Sequence, residues 1–395
     1  MKILFVTKEI PYPVNNGYRT RTFSILKGLA MENEVILACF GNAGSTNNEE
    51  MKKIVHDTRV IKDGSRVGKI RALFALFCGL FSTLPYPIKK RYSVQMKEMI
   101  TNILKDNSVD LVICDSIYQA LNIPSIKCKK VLLEHNVEST IIRRYIKVEK
   151  NILKKIYATI EWIKMNRYEN TVWGKFDHVF AVSENDKKDI VSRIKRNTVS
   201  VIPNGVDVGY FQSAREGANS YSLVYTGQMN WYPNQDAVMY FLDSTYPLIK
   251  KSIPTVSLYI VGDNPPESIK RVSEKDKSVI VTGFVEDVRG YMEKGDVFIV
   301  PLRIGGGTRL KILEAMSMAK PVVSTSIGCE GLGLTNEKNI FIADEPDDFA
   351  SKVVNLLNDS HKRTSMGKAG RDLVVKEYSW DIVVDKLNKT IKGLA

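Results

Sequence analysis

Short apolar runs recur along the chain, and stretches of helical periodicity separate them. In the first half the clearest runs are KILFVT, EVILACF, LVICD, KVLLEH and HVFAVS, and in the second SLVYTG, SLYIVGD, VIVTGF, VFIVPL and PVVST. Strands alternating with helices in this way predict an α/β protein with mostly parallel sheets. Two such sets meet near a Gly-, Ser- and Ala-rich stretch at 205–220, which predicts two Rossmann-like domains and a hinge. The stretch Glu138–Trp173 holds neither Gly nor Pro and reads as one long helical region rich in Lys and Arg. The opening MKILFVTKEIPYP is apolar only from Ile3 to Val6, too short for a signal peptide, and reads as a first buried strand. Repeats and low-complexity tracts are absent from the sequence.

Composition changes this picture only slightly. A chain of 395 residues with 44% hydrophobic and 26% charged residues suits two globular domains, each with its own core. The five cysteines, Cys39, Cys78, Cys114, Cys128 and Cys329, lack metal-type spacing and are expected as reduced core residues of a cytosolic protein.

Charge adds more. The net charge is +13, and it is uneven: residues 1–200 hold 34 Lys and Arg against 20 Asp and Glu, while residues 201–395 hold 23 against 24. Lys62, Arg66, Lys69 and Arg71 precede the charge-free run Ala72–Ile88, and Lys89, Lys90 and Arg91 follow it. Such a run suits the surface of an anionic bilayer, and a core helix with solvated ends accounts for it nearly as well. It is shorter than the roughly 20 residues a transmembrane helix needs, and it contains Pro85 and Pro87. Zinc-type spacings and nucleic-acid-binding motifs are missing from the sequence, so no nucleic acid is expected as a partner.

The most specific chemistry lies in Pro301–Thr325, PLRIGGGTRLKILEAMSMAKPVVST. Gly305, Gly306 and Gly307 follow an apolar run and precede a helical stretch, where backbone amides can face an anion. Thr308 is the expected N-cap. Arg309 and Lys311 then fall in the first turn with no acid to complete a capping box. That placement opposes the helix dipole unless a bound phosphate supplies negative charge. Glu314 lies one turn beyond Lys311 on the same face, among Leu310, Ile312, Leu313, Ala315 and Met316. A carboxylate in such company needs a partner, and ribose hydroxyls qualify. An ordinary α/β loop with solvated bases fits the same string, and the motif alone does not choose. A dinucleotide fold is disfavoured, because KEIPYPVNNGYRTR after the first strand offers one glycine, Gly17, and cannot supply G-x-G-x-x-G.

VIPNGVD (Val201–Asp207), TGFVEDV (Thr282–Val288) and LKILEAMSMAKPVVST, with AVSENDK (Ala181–Lys187) and EYSW (Glu377–Trp380), together resemble the retaining GT-B glycosyltransferases of family 4. The resemblance covers essentially the whole chain. It implies an α/β GT-B fold, two Rossmann-like domains facing each other across a cleft. The first, 1–207, would bind the acceptor and receive a last helix at about 380–395, and the second, 215–378, would bind a nucleotide sugar. The implied activity is metal-independent transfer of a hexose-type sugar from a nucleoside diphosphate donor to a glycan or lipid-linked acceptor, without a further cofactor. The enzyme is expected in the cytoplasm, at or near the inner membrane face, in surface polysaccharide biosynthesis. The sequence holds no D-x-D of the kind metal-dependent transferases use, and no metal site is expected.

The same resemblance implies a set of site residues. His135 and Glu314 would be catalytic, His135 near the transferring sugar. The donor would be held by Gly17, Gln228, Gly283, Phe284, Gly306, Gly307, Thr308, Arg309, Lys311 and Glu314. Read as residues alone, Gly17 is equally a plain turn and His135 a structural hydrogen-bonder. Trp231 and Tyr232 suit either sugar stacking or packing. Two departures stand out. Gly306 occupies the place of the first acid of the family's E-x7-E motif, and Gln228 and Asn234 stand where relatives carry Arg and Lys for the diphosphate, so Arg309 and Lys311 are expected to compensate. These departures keep two alternatives open, a catalytically silent nucleotide-sugar-binding GT-B subunit and a GT-B sugar-nucleotide epimerase.

Overall fold

The computed structural model describes residues 1–62, 79–106, 108–125, 127–196, 198–213 and 220–394. Arg66, Lys69, Arg71 and residues 72–78 of the run expected at a membrane lie outside these, as do 214–219 of the expected hinge. The chain divides into two compact units, one of residues 1–203 with 383–395, the other of residues 204–382.

The first unit is built on seven strands: β1 (Lys2–Thr7), β2 (Glu34–Gly41), β3 (Asp57–Lys62), β4 (Leu111–Asp115), β5 (Lys129–Leu133), β6 (His178–Ala181) and β7 (Val199–Val201). They lie in the order β3-β2-β1-β4-β5-β6-β7, every pair parallel. The inner strands are apolar on both faces because helices cover both, and Ile3 to Val6 and Leu111 to Cys114 are fully buried. The second unit repeats the plan with β8 (Ser222–Thr226), β9 (Ser257–Val261), β10 (Val279–Gly283), β11 (Val297–Val300), β12 (Val322–Ser324) and β13 (Phe341–Ile342). Their order is β10-β9-β8-β11-β12-β13, again all parallel. Each sheet therefore reverses its winding once, between β1 and β4 and between β8 and β11. Connections leave in opposite directions there, which opens a crevice at the strands' carboxyl ends.

The ten apolar runs all appear as strands. β3, β7 and β13 were not among them, all three being edge strands whose polar or brief sequences lack a clear period. The region Glu138–Trp173 is not one helix. It is a hairpin of α2 (Glu138–Val148) and α3 (Ile152–Trp173), which follows α1 (Gly17–Ala30) in the same unit. The break comes from Asn151, whose side chain accepts from the Leu153 and Lys154 amides at 3.0 and 3.1 Å and so caps a new helix. Cys39, Cys114 and Cys329 are buried thiols as expected, whereas Cys128 is half-exposed just before β5. A last helix, Trp380–Leu394, buries Val383, Val384, Leu387 and Ile391. A Cβ on Gly28 would lie 2.2 Å from Val384.

Candidate active site

In the second unit, β8 runs through Gly227 and Gln228 to α4 (Tyr232–Tyr240), and β11 runs through the glycine loop to α5 (Leu310–Ser317). Ile312, Leu313, Ala315 and Met316 of α5 are buried in the core. Lys311 and Glu314, one turn apart, stay half-buried. Lys311 Nζ donates to Tyr225 Oη at 3.0 Å and to Asn234 Oδ1 at 3.2 Å, and lies 4.1 Å from the centre of the Tyr225 ring. Tyr225 and Asn234 are themselves linked at 2.7 Å. Gly227 makes this possible, since a Cβ there would fall 2.6 Å from the amine. Burial pushes the Lys311 ammonium down to about 7, with Arg309 adding to the effect and Glu314 opposing it.

Glu314 presents a different problem. Its carboxylate makes no hydrogen bond or ion pair with any described residue, and burial pushes it up to about 7 against the attraction of Lys311. Close by in sequence, the Thr308 hydroxyl is also buried without a partner among the described residues.

The expected N-cap requires correction. Helix α5 begins at Leu310, Arg309 occupies the cap position without a side-chain capping bond, and Thr308 lies outside the helix. Buried Arg309 instead turns its guanidinium back into the loop. It donates to the carbonyls of Gly306, Gly307 and Ile327, the latter two at 3.1 and 3.5 Å. One of its nitrogens lies 2.2 Å from where a Gly305 Cβ would be, and Gly307 is left-handed at φ 63°. The cation at this helix start is thus answered by loop carbonyls. Asn204 of VIPNGVD adds a bond to the Thr308 carbonyl at 3.1 Å.

Of the other residues expected to hold the donor, Gly283 ends β10 at φ 71° and Phe284 beyond it is 65% exposed. The Gln228 carbonyl accepts from Asn234 at 2.8 Å. Gly17 is the exposed first residue of α1, capped by Asn16, and not part of a loop.

In the first unit the strand ends gather a second cluster. Thr7 closes β1, Asp115 closes β4, His135 lies two residues past β5, and Tyr18 and Thr22 project from one face of α1. Fully buried Asp115 accepts four hydrogen bonds: from Thr7 at 3.0 Å, Tyr18 and Thr22 at 2.8 Å, and His135 Nε2 at 2.7 Å. Burial raises its carboxyl, but the bonds from His135, Tyr18 and Thr22 outweigh it and hold the group below the usual range. Burial also pushes the His135 imidazole down, against the pull of Asp115. An ionised Asp115 only accepts, so the hydrogen of neutral His135 sits on Nε2. The imidazole stacks on Tyr18 at 4.6 Å, and Lys8 Nζ lies 3.6 Å from the centre of that ring. Among the described residues no group of three or more His, Cys, Asp and Glu could hold a metal ion.

Two family models match in tandem: the Glycosyltransferase Family 4 model over residues 15–210, and the glycosyl transferases group 1 model over residues 220–359. The chain belongs to the group 1 glycosyltransferases. Among relatives of this glycosyltransferase, an uncharacterized 44.6 kDa protein in the cps region of Klebsiella pneumoniae is 24% identical over 369 residues, 90% of each chain. The Escherichia coli UDP-Gal:α-D-GlcNAc-diphosphoundecaprenol α-1,3-galactosyltransferase is 26% identical over 48% of this chain and 52% of its own length. Sucrose-phosphate synthase of Thermosynechococcus elongatus superposes over 100% of this chain and 99% of its own, with a TM-score of 0.73 at 14% identity. The GT-B glycosyltransferase fold is thus shared.

Sequence reasoning for this glycosyltransferase singled out Lys311, Glu314 and His135 and passed over Asp115, Tyr18 and Lys8, which the structure gathers around His135. One signal for Asp115 was available: an acid ending the apolar run LVICD, at the carboxyl end of a strand expected to be buried. Tyr225 and Gly227 were missed too, because nothing in YTGQMN announces that a lysine from a helix far along the chain will use them.

Proposed function

We propose that the second unit holds a nucleoside diphosphate sugar and that the enzyme transfers its hexose, with retention of configuration, to a glycan or lipid-linked acceptor. The observation that carries this reading is Glu314, a half-buried carboxylate with no hydrogen-bond or ion-pair partner among the described residues, one turn from a desolvated lysine. A half-buried acid left without a partner is costly to ionise, so such a group suits a ligand that supplies hydroxyl donors. Ribose does so, and its diphosphate would restore the charge of Lys311. Here Lys311 serves in place of the basic pair that Gln228 and Asn234 have replaced, and Asn234 orients it. Arg309 shapes the loop that receives the phosphates.

In the proposed reaction the acceptor oxygen bonds to the anomeric carbon as the bond from that carbon to phosphate oxygen breaks. The acceptor proton passes to the leaving diphosphate on the same face, and charge building on that diphosphate is stabilised by Lys311 and the loop amides. His135, held in one tautomer by Asp115, contacts the sugar or the acceptor. No metal or further cofactor takes part. The printed names of the Klebsiella and E. coli relatives, one in a cps region and one acting on a diphosphoundecaprenol-linked sugar, support a role in building surface polysaccharide on a lipid carrier.

A thermal-shift panel with UDP, GDP, ADP and NAD tests the donor half. A nucleotide at about 100 times its Kd should stabilise the protein by roughly 2.7 kcal/mol, and the shift should fade in Glu314→Ala. Silence from every nucleoside diphosphate would remove the reading. Product analysis with and without acceptor then separates transfer from epimerisation and from mere binding.

A further inference from the structure

The end of the α2–α3 hairpin is at once apolar and basic. Ile152, Leu153 and Ile156 open α3 and are 65%, 74% and 53% exposed, and Ile163 continues the same face further along. Clustered open aliphatic side chains on a helix start mark a surface made to be covered. Lys147, Lys150, Lys154 and Lys155 stand among them, none in an ion pair with a described residue. From Ser139 to Ile160 the sequence carries six Lys and Arg and one acid, Glu149. That acid accepts from the Tyr145 hydroxyl and the Asn151 amide. The capping bonds of Asn151 fix the hairpin end in shape.

We propose that this hairpin end docks on an anionic bilayer, the Ile and Leu side chains entering the acyl boundary and the lysines meeting lipid phosphates. Charge selects this occupant. A second copy of the same tip would bring like charges together, whereas a negative lipid surface satisfies lysines and aliphatic groups at once. The inference deepens the proposed function and rests on it for the lipid-linked acceptor. Helix α2 starts three residues after His135 and runs for 11 residues to the hairpin end, roughly 16 Å of helix. The reacting end of the acceptor and its lipid end would then be met by the two ends of one helix.

Co-sedimentation of the full chain with vesicles tests this, using phosphatidylcholine alone and phosphatidylcholine with phosphatidylglycerol, at low and high salt. The wild type should bind the anionic vesicles and release most of its bound fraction at high salt. Ile152→Ser/Leu153→Ser/Ile156→Ser should bind about tenfold more weakly, and Lys150→Gln/Lys154→Gln/Lys155→Gln should lose the preference for anionic lipid. Melting with and without UDP or GDP confirms that each variant folds and keeps its donor site. Leu153→Trp, which keeps an apolar tip, should show a blue-shifted emission with anionic vesicles only. A wild type left in the supernatant overturns the proposal. So do variants that bind as well as the wild type, or a sedimentation-velocity result showing that the tip joins two copies. Absence of any nucleotide shift in the wild type sinks the donor reading instead and leaves the vesicle result to stand by itself.

Discussion

Asp115 and Glu314 are buried or half-buried acids near corresponding crevices of two sheets with the same winding, and they are treated in opposite ways. Asp115 is saturated by four donors from its own unit, whereas Glu314 has none from the described residues. A saturated carboxylate fixes the groups around it, here the ring of His135. An unsaturated one waits for groups to arrive. The contrast separates a part of the molecule that positions from a part that binds, although the topology around both is alike.

The sharpest way to break this comparison is Glu314→Gln. Transfer should fall by about 100-fold or more, while the melting temperature holds or rises, because an unpaired, half-buried charge has been removed. A clear drop in melting temperature would show that the protein itself holds Glu314. Asp115→Asn should do the reverse to stability, costing the first unit about 3 kcal/mol in urea unfolding, since an amide N–H2 would face donors. The folded Asp115 carboxyl titrates lower than in the unfolded chain, so its stabilisation is present above the ordinary carboxylate range and is lost as pH falls through the folded value. Acid should therefore erase the gap between wild type and Asp115→Asn.

How much of this was legible beforehand differs between the two acids for a physical reason. The strands, their parallel pairing and the glycine loop were readable because doubly buried strands and a helix start leave local marks. Glu314 was readable for the same reason, as an acid in an apolar helix. The Asp115 cluster assembles Thr7, Tyr18, Thr22 and His135 from three strand ends and a helix, so its meaning exists only after the sheet has formed. Thr308 was misplaced because Arg309, drawn into the loop by carbonyls that the sequence does not show, moved the helix start.

Two smaller effects refine the contrast. Burial pushes the Lys311 ammonium down to about 7, and it must be charged to hold a diphosphate. UDP or GDP affinity should therefore weaken above that value by up to about tenfold per pH unit, until the raised pKa of the bound state is reached. Lys311→Met should flatten the profile in isothermal titration, and an equally steep profile in that variant would assign the proton elsewhere. Gly227→Ala, which sets a methyl against the amine and the buried Asn234 amide, should weaken nucleotide binding by about tenfold and cost about 1 kcal/mol of stability, and unaltered affinity would show that Lys311 can move aside.

Three consecutive glycines ordinarily make the most pliant stretch of a chain, and a ligand that binds such a stretch must first freeze it. The guanidinium of Arg309 alters that expectation, because it gives Gly305, Gly306 and Gly307 an internal template made of the protein's own side chain. The loop's entropy is surrendered when the chain folds rather than when a donor arrives. What looks in the sequence like a pliant loop is thereby cast in advance, and the backbone keeps the close approach that only glycine allows without the looseness that usually accompanies it.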